Sequence, residues 1–172
     1  VKLIAADLGR TDRQLPYREI ARSGGDQWRG AWVDNREYYM YVTLPQDSKL
    51  DSKRALQLKR VCWLHLENHL KGCPAGLQHL ALRLHCREYT GPSPEISVNL
   101  RTPGVKGQLR LATAELARQT HGFHAGTLLL FSNVYVPRPG TLAVTVRHTR
   151  NYWKYRLVLG DASLHSAVSD AE

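Results

Sequence analysis

SKLDSKRALQLKRVCWLHLENHLKGCP, residues 48 to 74, opens on a helix-start signal and closes on a helix-stop signal. Ser48 followed by Asp51 fits a capping box, with Asp in the place of the usual Glu, because the two side chains take orphaned N–H groups of a first helical turn. Helix formers run on to Lys71, and Gly72 with Pro74 supplies a conventional end. The segment is therefore predicted as one long amphipathic helix over about 49–71.

At about 100° per residue, Cys62, His65, His69 and Cys73 fall on one face of that helix. Zinc takes such ligands, and His at i and i+4 is a normal helical pair for it. Cys62 and Cys73, however, would stand about 16 Å apart along the axis, too far for one tetrahedral ion. At most three consecutive members could share a metal, with Cys62, His65 and His69 as the candidates and a fourth ligand from elsewhere such as Cys86, His121 or His124. The same face carries Ala55, Leu58 and Leu66, flanked by Val61 and Leu70, which makes it the core-facing side. Buried Cys is more often a small hydrophobe than a ligand, so the core reading leads and no metal or cofactor is expected. HLENH is not HExxH either, since Glu67 falls about 160° from His69 on a helix.

Around this segment the pattern is mostly strand. KLIAADL and EYYMYVTL (37–44) are strand candidates, and ARSGGDQ between them reads as a loop. In LQHLALRLHCREY, Leu80, Leu82, Leu84 and Cys86 share one face and His79, Arg83, His85 and Arg87 the other. ISVNLR and KGQLRL, joined by TPGV, predict a hairpin, and TAELARQ at 113–119 a second, short helix. GTLLLFSNVYV is a buried strand, too short to span a membrane as a helix. TLAVTVRHT and YWKYRLVL form a last strand pair about Arg150-Asn151. The expected fold is α+β: a mainly antiparallel sheet packed by one long helix, in a single domain over 1–172.

Charge carries most of the functional information. The chain has 24 Lys and Arg against 15 Asp and Glu, a net +9, which favours an anionic partner. The candidate contacts are Arg83, Arg87, Arg101, Lys106 and Arg110, which alternate away from the apolar side of their strands. Lys53, Arg60 and Lys71 project from the expected helix opposite the Cys/His stripe. In RHTRNYWKYR, Arg147, Arg150, Lys154 and Arg156 interleave with Tyr152, Trp153 and Tyr155, a mix suited to phosphate contact with base stacking or to a membrane interface. The bland alternative is an edge hairpin whose cations deter aggregation. No P-loop, GxGxxG, GxSxG or CxxC motif occurs, and no small-molecule substrate is evident.

Three cysteines lack the density of a disulfide scaffold, so a reducing compartment, cytoplasm or nucleus, is expected, without signal peptide or transmembrane segment. Val1 rather than Met opens the chain, which fits a core lacking an N-terminal tail. The order of an aromatic strand (EYYMYVTL), one amphipathic helix (48–72), an apolar strand (LQHLALRLHC), GTLLLFSNVYV and a terminal pair ending RLVLGDAS resembles the matrix proteins of rhabdoviruses. That resemblance implies a non-enzymatic protein that self-associates, condenses ribonucleoprotein and binds an acidic membrane, present in the virion. The alternatives are an RNA-binding module (an organellar ribosomal component, a capsid or a silencing protein) and a small zinc-dependent enzyme using His65 and His69.

Overall fold

The computed structural model describes residues 2–7, 17–30, 33–44, 52–59, 61, 64–86, 95–115, 127–148 and 157–169. They form eleven strands: β1 (Lys2–Asp7), β2 (Tyr17–Ser23), β3 (Tyr39–Thr43), β4 (Arg54–Leu58), β5 (Leu64–Cys73), β6 (Gly76–Cys86), β7 (Glu95–Arg101), β8 (Leu109–Glu115), β9 (Thr127–Val136), β10 (Gly140–His148) and β11 (Leu157–Ser169). A single 3-10 turn, Gly25–Gln27, is the helical element among the described residues. No helix there is long and apolar enough to cross a membrane.

The strands make two antiparallel sheets. The larger is ordered β1-β9-β6-β11-β4-β3, with β2 also paired to β11; the smaller is β5-β10-β7-β8. Leu64, Leu66, Leu70, Leu142, Val144, Val146, Val98 and Leu100 from the smaller sheet meet Leu80, Leu82, Leu84, Leu129, Phe131, Leu157 and Leu159 from the larger in one buried cluster. Two sheets face to face with apolar inner surfaces are a β-sandwich.

The α+β expectation is thus corrected, and the helix over 49–71 with it. β4 and β5 occupy its place, and they lie in different sheets. Along β5 the buried Leu64, Leu66 and Leu70 alternate with His65, Glu67, His69 and Lys71 on the outside. A leucine-rich stretch satisfies both periods, and good helix formers tip a local reading the wrong way. What decides is non-local: β5 pairs with β10 from Leu64↔His148 to Cys73↔Gly140. The stop signal was real but ends a strand. Gly72, with φ +70°, and Pro74 carry the chain from β5 in one sheet to β6 in the other. Among the described residues, the central helix in the matrix-protein order of elements therefore has no counterpart.

Two further expectations change. Thr113–Glu115 of the expected short helix belong to β8, and 116–119 lie outside the described residues. β10 and β11 are in different sheets and do not pair with each other, so they are not the strand pair expected about Arg150-Asn151, which itself lies outside the described residues. The β7–β8 hairpin is found as expected, with Val105 N donating to Thr102 O across its turn.

One irregularity shapes the site below. The β11–β6 register shifts between Leu159 and Ala162, leaving Gly160 and Asp161 bulged out of the ladder. Their freed groups are taken up locally: Trp28 Nε1 donates to Gly160 O at 2.9 Å, and Asp161 N donates to Ser52 Oγ at 2.8 Å. Gly25 fits against this bulge because a side chain there would stand 2.4 Å from Arg54 O and 2.9 Å from Leu159 O.

Candidate functional site

Beside that bulge the two sheets approach edge to edge. Arg29, on the loop after the 3-10 turn, exchanges both backbone hydrogen bonds with Glu67 of β5 at 2.8 Å each. The seam opens outward as a groove of about 810 Å³, lined by the end of β2, the 24–30 loop and the outer face of β5. Five of its side chains are cations or imidazoles: Arg22, Arg29, His65, His69 and Lys71.

The floor is rigid. Asn68 is buried; its Oδ1 accepts from Ser23 Oγ at 2.6 Å and from His69 N at 2.9 Å, while its Nδ2 donates to Gly24 O at 3.2 Å. The groove thus rests on one amide that ties β2, the loop and β5 together.

The cations differ in what they are free to do. Arg22 Nε donates to Asp161 Oδ2 at 2.7 Å and Nη1 to Glu19 Oε1 at 2.6 Å. Partial burial works against the Arg22 charge, but these two carboxylates outweigh it and hold the guanidinium above its ordinary pKa. Asp161 Oδ1 also accepts from Gly25 N at 2.8 Å, so this ion pair is built into the loop anchor. Arg29 Nη1 donates to Asp26 O, Trp28 O and Tyr41 Oη. His65 and Lys71, by contrast, are exposed and have no partner among the described residues. Glu67 sits between them, its Oε1 accepting from His69 Nε2 at 2.6 Å and Arg101 Nη2 at 3.0 Å. The second oxygen accepts nothing among the described residues.

The outer face of the smaller sheet prolongs this strip. In register, His65 stands opposite Arg147 of β10, which stands opposite Ser97 of β7; His69 stands opposite Ala143, opposite Arg101. Neighbouring strands lie about 4.8 Å apart, so Arg147 is next to His65 and Arg101 within reach of Glu67.

The outer face of the larger sheet carries a second polar cluster, this one buried. Arg83 Nη1 donates to Ser163 Oγ at 2.8 Å, Ser163 Oγ lies 2.7 Å from His165 Nε2, and His165 Nδ1 lies 3.3 Å from Tyr17 O. The carbonyl can only accept, so Nδ1 carries the proton and Nε2 accepts from the serine. A hydroxyl on an imidazole is nucleophile-and-base geometry, but with Ser163 fully buried it serves as an internal network. Opposite His165, His79 accepts from Asn133 N at 3.1 Å and packs against Tyr17 with ring centroids 4.3 Å apart and planes tilted by 60°. Asn133 has φ 55° at a bulge in the β6–β9 ladder, and its N–H is what the bulge aims at the ring. Desolvation holds both imidazoles below their ordinary pKa; the Ala167 backbone opposes this at His79, and the Tyr17 carbonyl at His165.

The structure redistributes the residues singled out from sequence. Arg83 is 3% exposed and bonded to Ser163, not on a free face, because that side of the larger sheet is covered where Arg83 sits. Lys71 is not opposite the histidines: on a strand 65, 69 and 71 share one side. The same geometry sets His65 and His69 about 13 Å apart, so they do not share an ion. No group of three potential metal ligands occurs among the described residues. Cys73 is buried, donates to Leu70 O at 3.3 Å, and burial pushes its thiol pKa up. Arg101 and Arg147 are brought beside His65 and His69, whereas exposed Lys53 and Lys106 sit on the bend before β4 and the β7–β8 turn. Arg60, Cys62, Arg87, Arg150, Tyr152, Trp153, Lys154, Tyr155 and Arg156 lie outside the described residues, as does the side chain of Arg110. Arg22, Arg29, Glu67 and Asn68 were not among the residues chosen from sequence. The signal available for Arg22 and Arg29 is the Gly-Gly-Asp-Gln-Trp run between them, a loop that ends on a large apolar residue and so must dock; Glu67 and Asn68 carry no local signal.

No family model matches the chain, and no curated protein matches it. Among solved structures, the chain is similar to a carbohydrate binding module of Cellvibrio mixtus lichenase 5A in complex with cellotriose (8% identity, TM-score 0.46, covering 87% of this chain and 98% of that one). It is similar to the K1 cleaved adhesin domain of Lys-gingipain from Porphyromonas gingivalis (10% identity, TM-score 0.47, 96% and 99%). It is also similar to an exo-beta-1,3-galactanase from Phanerochaete chrysosporium (11% identity, TM-score 0.47), where it covers 84% of this chain but spans only 29% of that one. At these identities and TM-scores the likeness assigns neither a family nor a ligand.

Proposed function

We propose that this chain is a non-enzymatic binding module whose groove between β2 and β5 holds an anionic partner. The observation that carries this reading is the convergence of Arg22, Arg29, His65, His69 and Lys71 on one opening over a floor locked by Asn68. Arg22 is compensated by Asp161 and Glu19, Arg29 is held by neutral acceptors and keeps its positive charge, and His65 and Lys71, with no partner among the described residues, are the groups left to meet a ligand. A net charge of +9 strengthens the attraction at long range. Of the roles expected from sequence, the anionic partner is the part the groove supports; the zinc-enzyme alternative loses its ligand spacing on a strand.

Calorimetric titration with heparin and with inorganic polyphosphate tests the proposal. Affinity is expected to fall steeply between about 50 and about 200 mM salt. Lys71→Glu, at an exposed strand position that costs the fold little, is expected to weaken binding at least about tenfold, or about 1.4 kcal/mol. Absence of binding to either polymer at low salt, or equal binding by Lys71→Glu, would remove the groove from consideration.

A further inference from the structure

We infer that the anionic partner is an acidic saccharide, one whose carboxylate or sulfate groups alternate with free hydroxyls; this rests on the groove being the binding site proposed above. The argument starts from Glu67. A site built only for phosphates has no use for a carboxylate in the middle of its cations, where it repels the ligand. Here the outward side chains of β5 run His65, Glu67, His69, Lys71, each about 7 Å from the next, so that donor groups flank a central acceptor. Glu67 Oε1 is already committed to His69 and Arg101, and Oε2 is left open toward the groove's ligand. A carboxylate oxygen only accepts, so its complement is a hydroxyl or another donor. His65 with its cross-strand neighbour Arg147, and Lys71 at the far end, are the complement of acidic groups on either side of that hydroxyl.

Among the described residues, the groove does not offer what the rival polyanions need. Single-stranded nucleic acid is held by cations together with aromatic platforms for its bases. Among the described residues, no Phe, Tyr or Trp lines the groove. An interfacial membrane contact buries apolar side chains below the headgroups. The exposed large hydrophobics among the described residues are Met40, Leu77, Val105 and Tyr135, none of which lines the groove. A ligand that is anionic, rich in hydroxyls and in need of neither stacking nor insertion is an acidic sugar chain.

The test compares four probes on the same protein: a heparin oligosaccharide, an oligogalacturonate, poly(U), and phosphatidylserine vesicles. The inference expects either saccharide to bind more tightly than poly(U) at matched charge and salt. Glu67→Ala and Arg147→Ala, both on the outer face, are expected to weaken that binding about fivefold each, through loss of a charge-assisted hydrogen bond. Glu67→Ala also separates the rivals by sign, because removing a carboxylate strengthens binding of any ligand held by charge alone. A saccharide that binds more tightly to Glu67→Ala overturns the inference, and so does preference for poly(U) or vesicles; both leave the anionic groove standing. Failure of all four probes overturns groove and inference together. Circular dichroism and the melting temperature of each variant, expected within about 3 °C of the parent, exclude unfolding as the cause.

Discussion

Trp28→Ala is expected to lower the free energy of unfolding by about 3 to 5 kcal/mol, enough to bring a protein of ordinary stability close to its threshold. Among the described residues, Trp28 is the largest fully buried side chain, and it belongs to the main cluster between the sheets. Its removal also strands the Gly160 carbonyl, whose bond to Trp28 Nε1 replaces the ladder partner lost at the bulge. That orphaned acceptor accounts for about 1 to 3 kcal/mol of the total. Trp28→Phe separates the two contributions, since it keeps most of the volume and loses the donor; a cost of about 1 to 2 kcal/mol is expected for it. Urea unfolding followed by far-ultraviolet circular dichroism measures both. A change below about 1.5 kcal/mol for Trp28→Ala would mean that the loop does not dock as described. Because the same loop carries Gly24, Gln27 and Arg29, the alanine variant is also expected to lose the groove's ligand.

Acidification is the second large effect. His79 and His165 are buried, and in both burial pushes the imidazole pKa below its ordinary 6.5. The unfolded chain therefore binds more protons than the folded one in the interval between the folded value and 6.5. The stability from the neutral rings is complete above 6.5 and is lost as pH falls from there through the folded values. The limiting slope is about 1.4 kcal/mol per pH unit for each ring. Protonating His79 turns its Nδ1 from the acceptor for Asn133 N into a second donor, and protonating His165 places a cation near Arg83 and Arg22, which the Tyr17 carbonyl and Glu19 only partly offset. The urea midpoint is accordingly expected to drop between about pH 7.5 and about pH 5.5, with a shallower drop in His79→Asn, whose Oδ1 still accepts from Asn133. A midpoint that is flat across that interval would contradict the buried, neutral state of both rings.

Sequence patterning located most strands for a plain reason. Leu80, Leu82 and Leu84 of β6, or Leu142, Val144 and Val146 of β10, alternate strictly because one side of each strand faces the other sheet. It failed where the residues were compatible with two periods. Leu58, Leu66 and Leu70 form a helical stripe and also sit on the inner sides of β4 and β5, and only the pairing with β10 distinguishes the cases. That information lies some seventy residues away and has no local trace.

The basic residues were legible as charge and not as place. Arg83 does point away from Leu82 and Leu84, as alternation required, but that side is buried against Ser163. The groove was hidden for a different cause. It forms between β2, the loop and β5, elements separated by some forty residues, and Glu67 acquires its role only when Arg101 reaches it from β7. The spacing of His65 and His69 suits a metal on a helix, whereas on β5 they stand on either side of the Glu67 carboxylate.

β11 has a consequence for how the chain is made. It lies in the interior of the larger sheet, with β6 along one side and β4 and β2 sharing the other. All three neighbours are synthesised before residue 87, while β11 itself begins at Leu157. During translation those strands wait with open edges until the last of the described elements leaves the ribosome. Such a delay, imposed by distant pairings, slows folding and leaves surfaces that other nascent chains can join. The chain is thus expected to depend on holdase chaperones for the length of about seventy codons, an interval set by strand order and indifferent to how stable the finished sandwich is.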